Sequence, residues 1–215
     1  ISYYDGINGS VKYAYYIGFG GSCGNSGDWD CRVIDDRDSG VVGLYTSLHA
    51  ADSSSDYLRV AYYDQTGGEL MYAYDIAGTG NCGEMGNWRC DAIDDIGADL
   101  SIGSISLAMD AQGKPMIAYS DGSPALGPLG LKVASPASGE TYANCGGEII
   151  YDWYCRELDN GDAYLDVAQY VGLAVKPDGR AIIAYSEIDN YEYPAEARLK
   201  IAYQVLTSQL PLVVK

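Results

Sequence analysis

Six cysteines are the residues of this chain best suited to chemistry, and they fall into three close pairs. The pairs are Cys23/Cys31, Cys82/Cys90 and Cys145/Cys155. Zinc sites usually space their cysteines roughly two to four residues apart, and thioredoxin-type redox chemistry needs C-x-x-C. These pairs are spaced more widely, and the chain has a single histidine. The spacing therefore predicts three structural disulfides rather than a metal or redox centre.

Each predicted disulfide closes a short hairpin, a constraint worth about 2 to 3 kcal/mol in the chain-entropy account. A tryptophan precedes the second cysteine of each pair by two residues, at Trp29, Trp88 and Trp153. Because side chains two apart on a strand share a face, we expect these rings to pack beside the bridges. Paired cysteines are typical of oxidising compartments, so we expect a secreted, extracellular or cell-surface protein.

Acidic residues recur after each cysteine pair, in DWDCRVIDD, NWRCDAIDD and DWYCRELDN. The carboxylates that end these segments are Asp35, Asp36, Asp94, Asp95 and Asp159. Gathered on one side of the molecule, such oxygen ligands could hold Ca²⁺, although no EF-hand loop is present. The alternative is that aspartate is a good turn residue that recurs with the repeat. Calcium is the one cofactor that the sequence suggests.

Catalysis has little support in the sequence. His49, the single histidine, stands where sister repeats carry Ala108 and Ala174, so we expect a packed or half-exposed side chain rather than a general base. The chain has no G-x-S-x-G nucleophile motif. Carboxylate pairs can hydrolyse glycosides, but these acids recur with the repeat, whereas an active site is usually asymmetric. The sequence favours a protein without catalysis.

The charge of the chain excludes some partners. The net charge is −17, with 30 acidic and 13 basic residues among 215. A nucleic-acid partner is not expected, because phosphates need a basic surface. Membrane insertion is not expected either, since no apolar run approaches the roughly 20 residues that span a bilayer.

Four segments recur along the chain at intervals of about 60 residues, a period typical of repeat architectures. ISYYD (1–5) returns as VAYYD (60–64), IAYSD (117–121) and IAYSE (183–187). VKYAYY (11–16) returns as LMYAYD (70–75), LKVAS (131–135) and LKIAYQ (199–204). The cysteine hairpin follows in the first three copies. LYTSLHAAD (44–52), SISLAMDAQGKP (104–115) and VGLAVKPDG (171–179) precede the next copy each time.

Residues alternate within these segments as they do in β-strands. Ile117 and Tyr119 should share one face, and Leu70 and Tyr72 should lie opposite Met71. Units of four such strands in tandem predict an all-β fold, specifically a β-propeller of four-stranded antiparallel blades. A β-solenoid is the alternative, and it is disfavoured because its coils are usually shorter than these units.

The order VAYYD, LMYAYD, W-x-C and SLAMDAQGKP resembles the blade repeats of large secreted bacterial β-propeller proteins. Those repeats are loosely related to the kelch, sialidase-repeat and WD families. The resemblance covers nearly the whole chain and implies the propeller fold. It does not imply a particular activity, because such repeats serve many functions.

The predicted propeller occupies residues 1–204, with repeats at 1–43, 44–102, 103–167 and 168–204 and a tail at 205–215. The first repeat lacks its first strand and the last lacks its fourth, so both terminal blades are expected to be incomplete. The tail could supply a closing or partner-pairing strand. Unpaired strand edges invite another chain, which predicts a homo-oligomer or polymer; the alternative is a fragment of a longer protein.

These observations predict a non-catalytic structural or adhesive module that binds other extracellular protein or itself. The alternative is a glycan-binding propeller or a sialidase-like glycosidase relative, with tyrosines and acids at the ends of the second and fourth strands of each repeat. One N-x-S sequon is present at Asn8, in a predicted turn, and it would carry a glycan in a host that glycosylates.

Overall fold

The predicted all-β class is confirmed. The computed structural model describes residues 1–37, 40–50, 58–76, 78–98, 103–122, 129–137, 143–145, 153–162, 165–189, 195–204 and 213–214. These residues form four antiparallel sheets and contain no α-helix. Among the same residues, no helix is long and apolar enough to cross a bilayer.

Each sheet is built from strands that follow one another in the chain. Sheet I contains β1 (Ser2–Asp5), β2 (Ser10–Tyr16) and β3 (Trp29–Asp35). Sheet II contains β4 (Val42–Ala50), β5 (Leu58–Asp64), β6 (Glu69–Asp75) and β7 (Trp88–Asp95). Sheet III contains β8 (Ile105–Met109), β9 (Pro115–Asp121), β10 (Gly130–Pro136) and β11 (Trp153–Asp159). Sheet IV contains β12 (Leu165–Val175), β13 (Ala181–Asp189), β14 (Glu196–Tyr203) and β15 (Val213–Val214).

The strands of each sheet pair antiparallel with their chain neighbours, so every connection within a sheet is a hairpin. In the predicted tail, Val213 and Val214 pair with Tyr203 and Ala202 of β14. The rest of that tail, 205–212 and 215, lies outside the described residues.

Three apolar cores lie between successive sheets, one for each neighbouring pair. We call the side of a sheet that meets the preceding sheet its backward face and the side that meets the following sheet its forward face. Leu70 and Tyr72 lie in the core between sheets II and III, whereas Met71 lies in the core between sheets I and II. Ile117 and Tyr119 share the backward face of sheet III. The predicted division of faces is therefore confirmed.

The first strands of sheets II, III and IV lie next to one another and are joined by serine hydroxyls. Ser47 Oγ accepts a hydrogen bond from the Leu107 amide at 2.9 Å. One repeat later, Ser106 Oγ accepts from the Leu173 amide, also at 2.9 Å. At the next equivalent position sheet IV has Gly172, which offers no hydroxyl. The same serine contact thus joins sheet II to sheet III and sheet III to sheet IV.

Candidate functional site: a tyrosine, aspartate and cation network between the sheets

A β-bulge near the end of the last strand in each of sheets I, II and III decides where the recurring aspartates point. Between β6 and β7, Leu70 pairs with Asp94 but Met71 pairs with Ala92, so Ile93 is an extra residue. The same shift makes Ile34 extra in sheet I and Leu158 extra in sheet III. Strict alternation from Trp88 would put Asp94 on the backward face of sheet II. The bulge turns it to the forward face instead, toward sheet III.

Each reoriented aspartate accepts a hydrogen bond from a tyrosine of the next sheet. Tyr62 Oη donates to Asp35 Oδ2 at 2.6 Å, and Tyr119 Oη donates to Asp94 Oδ2 at 2.7 Å. At the third interface Tyr185 Oη donates to Asp159 Oδ2, again at 2.7 Å. The three tyrosines are almost completely buried, so a hydroxyl without this acceptor would lose its hydration with no compensation.

A cation completes the network at every interface. Lys200 Nζ lies 2.7 Å from Asp159 Oδ2 of sheet III and 2.6 Å from Glu187 Oε2 of its own sheet. Lys132 likewise pairs with Asp121 of its own sheet and lies 3.4 Å from Asp94 Oδ2. The lysine thus ties the end of one sheet to the strand ends of the next.

Sheet II lacks this lysine, and an arginine takes over its function. Met71 stands at the lysine position of β6. Arg37, just after β3, lies with its guanidinium 2.7 Å from Asp35 Oδ2 and 3.8 Å from the Met71 sulfur. The buried Asp35 carboxylate therefore keeps a positive neighbour despite the loss of the lysine.

The electrostatics follow from burial and these contacts. Burial, reinforced by the nearby carboxylates, raises the pKa of Tyr62 and Tyr119 well above the usual value. Burial also raises the pKa of Tyr185, and its hydrogen bond to Asp159 adds to the effect. Burial acts to lower the pKa of Lys132, but the hydrogen bond to Asp121 and the charge of Asp94 outweigh it, and the net shift is upward. At neutral pH the hydroxyls are protonated donors and the lysine is charged.

The structure does not bring the predicted calcium ligands together. Asp35, Asp94 and Asp159 belong to three different sheet interfaces, and each is engaged by a tyrosine and a cation. Asp36 and Asp95 are exposed, and Asp95 Oδ1 accepts a hydrogen bond from the Gly97 amide. Among the described residues, no three acidic, histidine or cysteine side chains are grouped so that they could hold a metal.

The three predicted disulfides are present in the structure, Cys23–Cys31, Cys82–Cys90 and Cys145–Cys155. The tryptophans beside them face backward. Trp88 packs edge-on against Tyr13 of sheet I, with ring centroids 5.5 Å apart, and Trp153 packs in the same way against Tyr72 of sheet II. The second and third bridges and their rings thus belong to the same interfaces as the tyrosine and aspartate contacts.

Two other predicted sites are isolated. His49 is half-buried on β4, opposite Arg59 of β5. Asn8 is exposed in the turn between β1 and β2, where its side-chain amide donates to Asp5 Oδ2 at 2.7 Å. An exposed sequon in a turn is accessible to a glycosylating enzyme.

A cleft between sheets II and III offers a separate binding surface. It measures about 370 Å³, and its lining includes Tyr74, Trp153, Arg59 and Asp91. Arg59 lies over the Tyr74 ring, 5.5 Å from its centroid. The cleft opens where the third strand of a sheet leads into the fourth, since Tyr74 is near the end of β6 and Trp153 begins β11. The sequence predicts ligand-binding tyrosines and acids at the opposite end of the sheets, where the second and fourth strands of each repeat end.

Within the part of the chain that the structure describes, no sheet packs on the outer faces of the two end sheets. Leu199 and Ile201 on the forward face of sheet IV are 76% and 46% exposed, whereas the equivalent Leu131 of sheet III is completely buried. On the backward face of sheet I, Tyr3 and Trp29 are partly exposed, although their counterparts in sheets II and III are buried.

Comparison with known proteins leaves the family open. No protein-family model matches this chain, and no curated protein matches it. The resemblance to secreted bacterial propeller repeats therefore stays a prediction that depends on the repeated segments alone.

Proposed function

We propose that this chain is a non-catalytic structural module of an extracellular or cell-surface assembly, a β-propeller segment that engages other protein through its uncovered end sheets. The observation that carries the proposal is the repeated network between the sheets. The carboxylates that could act as catalytic acids or metal ligands, Asp35, Asp94 and Asp159, are each held by a buried tyrosine and a cation. A carboxylate that is bound in this way holds two neighbouring sheets together.

The propeller geometry is favoured by how the sheets are repeated. Four-stranded antiparallel units follow one another in chain order, and their first strands lie side by side through equivalent serine contacts. Radial repetition of such units is the arrangement that a propeller uses. The three disulfides fit an oxidising compartment.

The forward face of sheet IV is the surface proposed for self-association. Exposed apolar side chains cluster there, including Tyr170, Leu199 and Ile201. Exposed apolar patches are typical of protein interaction sites. Because the patch is apolar and bears few charges, two copies can cover it by packing face to face despite the net negative charge of the chain.

Sedimentation velocity of the full chain over a wide range of concentration tests this proposal. We expect oligomers that Leu199→Asp abolishes, because a charge would be desolvated in the contact. Met85→Asp is the matched control, since Met85 is 86% exposed on the disulfide hairpin of sheet II. A chain that stays monomeric at every concentration would contradict self-association, as would equal effects of the two variants.

A glycan-binding function is the second candidate, and the cleft between sheets II and III favours it. Aromatic rings flanked by an arginine and an aspartate suit a sugar, whose apolar faces stack on rings while its hydroxyls bond to charged groups. A glycan array probed with the purified chain tests this candidate. We expect binding that Tyr74→Ala removes and Tyr16→Ala, on the exposed hairpin of sheet I, preserves. A flat response across the array would contradict the candidate.

A further inference from the structure

We propose that the backward face of sheet I binds a β-sheet whose fourth strand ends in an aspartate, and that this carboxylate is taken up by Tyr3 and Lys12. The inference rests on the proposed function, in that it assigns a partner to one of the uncovered end sheets. It concerns a different face from the self-association surface of sheet IV.

Sheet I carries the receiving half of the network that joins the other sheets. Tyr3 is the residue of ISYYD that corresponds to Tyr62, Tyr119 and Tyr185. Those three hydroxyls each donate to an aspartate of the preceding sheet. Among the residues that the structure describes, the Tyr3 hydroxyl has no hydrogen-bond partner. An unpaired phenol on a partly exposed face has the position and chemistry to donate to an incoming carboxylate.

Among the described residues, Lys12 likewise makes only one of the two contacts that the equivalent lysines make. Its ammonium lies 2.6 Å from Asp5 Oδ2 of its own sheet, which corresponds to the Lys132–Asp121 and Lys200–Glu187 pairs. Those two lysines also reach the aspartate of the preceding sheet, at 3.4 and 2.7 Å. Lys12 has the own-sheet contact alone within the described part of the chain. An acidic side chain of a preceding sheet would supply the second ion pair of Lys12.

Trp29 marks a third matching position on this face. Trp88 and Trp153 each make an edge contact with a tyrosine ring of the preceding sheet. Trp29 instead contacts Tyr16 of its own sheet, with ring centroids 5.5 Å apart, and remains partly exposed. A partner sheet would therefore present an aspartate to Tyr3 and an apolar or aromatic side chain of its third strand to Trp29.

A second copy of this chain does not fit as the partner. The uncovered face that it could offer is the forward face of sheet IV. The cleft on that face is lined by Tyr170, Gly172, Leu199 and neighbouring residues, and none of its described lining residues is an aspartate or a glutamate. In that cleft, neither Tyr3 nor Lys12 of a second copy would find the carboxylate that the interior interfaces supply. The partner is therefore a sheet that ends as sheets I, II and III end, with a bulged aspartate on its fourth strand.

An extended chain supplies such a sheet as a defined probe. Residues 42–116 are duplicated ahead of Ile1, so that Ile1 takes the place of Ile117 after the duplicated Met116. The duplicate carries its own Asp94. We expect the extension to resist limited proteolysis, and Tyr3→Phe to lower the folding equilibrium constant of the extended chain about tenfold. In the natural chain the same change should alter it less than about twofold.

A double-mutant cycle identifies the contact. Tyr3→Phe and Asp94→Asn in the duplicate should together cost less than the sum of the separate changes, because both remove one interaction. Tyr4→Phe is the control, since Tyr4 lies on the other face of β1. Additive effects would overturn the proposal, as would digestion of the extension or an equal effect of Tyr3→Phe in both chains.

Self-association of the natural chain supplies a separate outcome. If Tyr3→Phe weakens the oligomers of the natural chain, a second copy occupies the face, and the proposed partner is wrong. If Leu199→Asp leaves the natural chain unchanged in sedimentation but the double-mutant cycle shows coupling, self-association fails and the assignment of sheet I stands.

Discussion

The interfaces between the sheets differ from the outer faces of the end sheets in how completely their polar groups are used. At the interface of sheets II and III, Tyr119, Asp94 and Lys132 satisfy one another in a buried network. On the outer face of sheet I, Tyr3 and Lys12 carry the same side chains without the aspartate. The same residue types therefore stabilise the fold in one place and leave a binding surface in the other. The difference lies in whether a neighbouring sheet supplies the acid.

Removing an interior aspartate should have the largest effect. Asp35 is completely buried and holds both Tyr62 and Arg37. Asp35→Ala leaves a buried hydroxyl and a partly buried guanidinium without their acceptor, so we expect a loss of about 3 kcal/mol in the free energy of unfolding. The exposed neighbour Asp36 is the control, and Asp36→Ala should cost less than about 0.5 kcal/mol. Urea denaturation measures both, and similar costs would contradict the network.

The second largest effect is expected from removing disulfides, and its cost should be larger in an interior sheet than in an end sheet. Replacing Cys82 and Cys90 with alanine opens the hairpin and should cost about 3 kcal/mol, about 2 to 3 of which come from chain entropy. The equivalent change at Cys23 and Cys31 should cost less, because Cys90 is buried against sheet I whereas Cys31 is partly exposed. Thermal unfolding of the two double variants measures the difference. Equal losses would show that the bridges act on the unfolded chain alone.

Alkaline pH should weaken the interior interfaces selectively. Burial raises the pKa of Tyr72 to about 12 and raises the pKa of Tyr62 and Tyr119 well above the usual value. An unfolded chain loses these protons near about pH 10. The folded state holds them to higher pH, so stability is full below about pH 10 and falls as pH rises above it. Each buried tyrosine should remove about 1 kcal/mol by about pH 11.

Phenylalanine variants check the source of this alkaline loss. Tyr119→Phe should flatten the fall in unfolding free energy between about pH 9 and about pH 11. Tyr16→Phe, on the exposed hairpin, should leave the fall unchanged. An unaltered slope in the Tyr119 variant would assign the alkaline loss to other groups.

The smallest effect is expected at Ser10. Its hydroxyl is buried and has no hydrogen-bond partner among the described residues. Interior hydroxyls such as Tyr119 are satisfied, so Ser10 is an exception on sheet I. Ser10→Ala removes the unmet group and should leave stability unchanged or raise it by up to about 1 kcal/mol. A clear loss in urea denaturation would indicate that the hydroxyl has a partner in solution.

The periodicity of the sequence is sufficient to predict the strands and the faces of their apolar side chains. Leu70 and Tyr72 face sheet III and Met71 faces sheet I, as alternation required. The repeated segments also predicted four units in tandem, because each unit carries the same order of short strands. Alternating patterns of this kind define the two faces reliably, because a shift of one residue in strand register would move every side chain to the opposite face.

The network itself could not be predicted, because it depends on a bulge. Ile93 is inserted into β7, and simple alternation from Trp88 then assigns Asp94 to the wrong face. The recurring pair of an apolar residue and aspartate was visible in Ile34-Asp35, Ile93-Asp94 and Leu158-Asp159. From the sequence alone, this pair predicts turn residues or calcium ligands. The similar sequence separation from the tyrosine of the next repeat, 27, 25 and 26 residues, is the signal that could identify a contact between sheets.

The replacement of lysine by Met71 was also beyond the sequence. Alone, Met71 suggests that one unit has lost the charged contact of the others. The structure places Arg37, from a segment outside the repeat pattern, beside the same aspartate. The replacement of the lysine by Arg37 depends on proximity in space, which the amino-acid sequence alone does not give.

The most direct test of the central claim compares two equivalent tyrosines. Tyr119→Phe and Tyr3→Phe remove the same atom from the same position of the repeat, with and without an aspartate to receive the hydrogen bond. Measured by urea denaturation of the natural chain, Tyr119→Phe should cost about 1 to 2 kcal/mol and Tyr3→Phe less than about 0.3 kcal/mol. Equal costs at the two positions would contradict the claim that the aspartate of the preceding sheet is what distinguishes an interior interface from an open one.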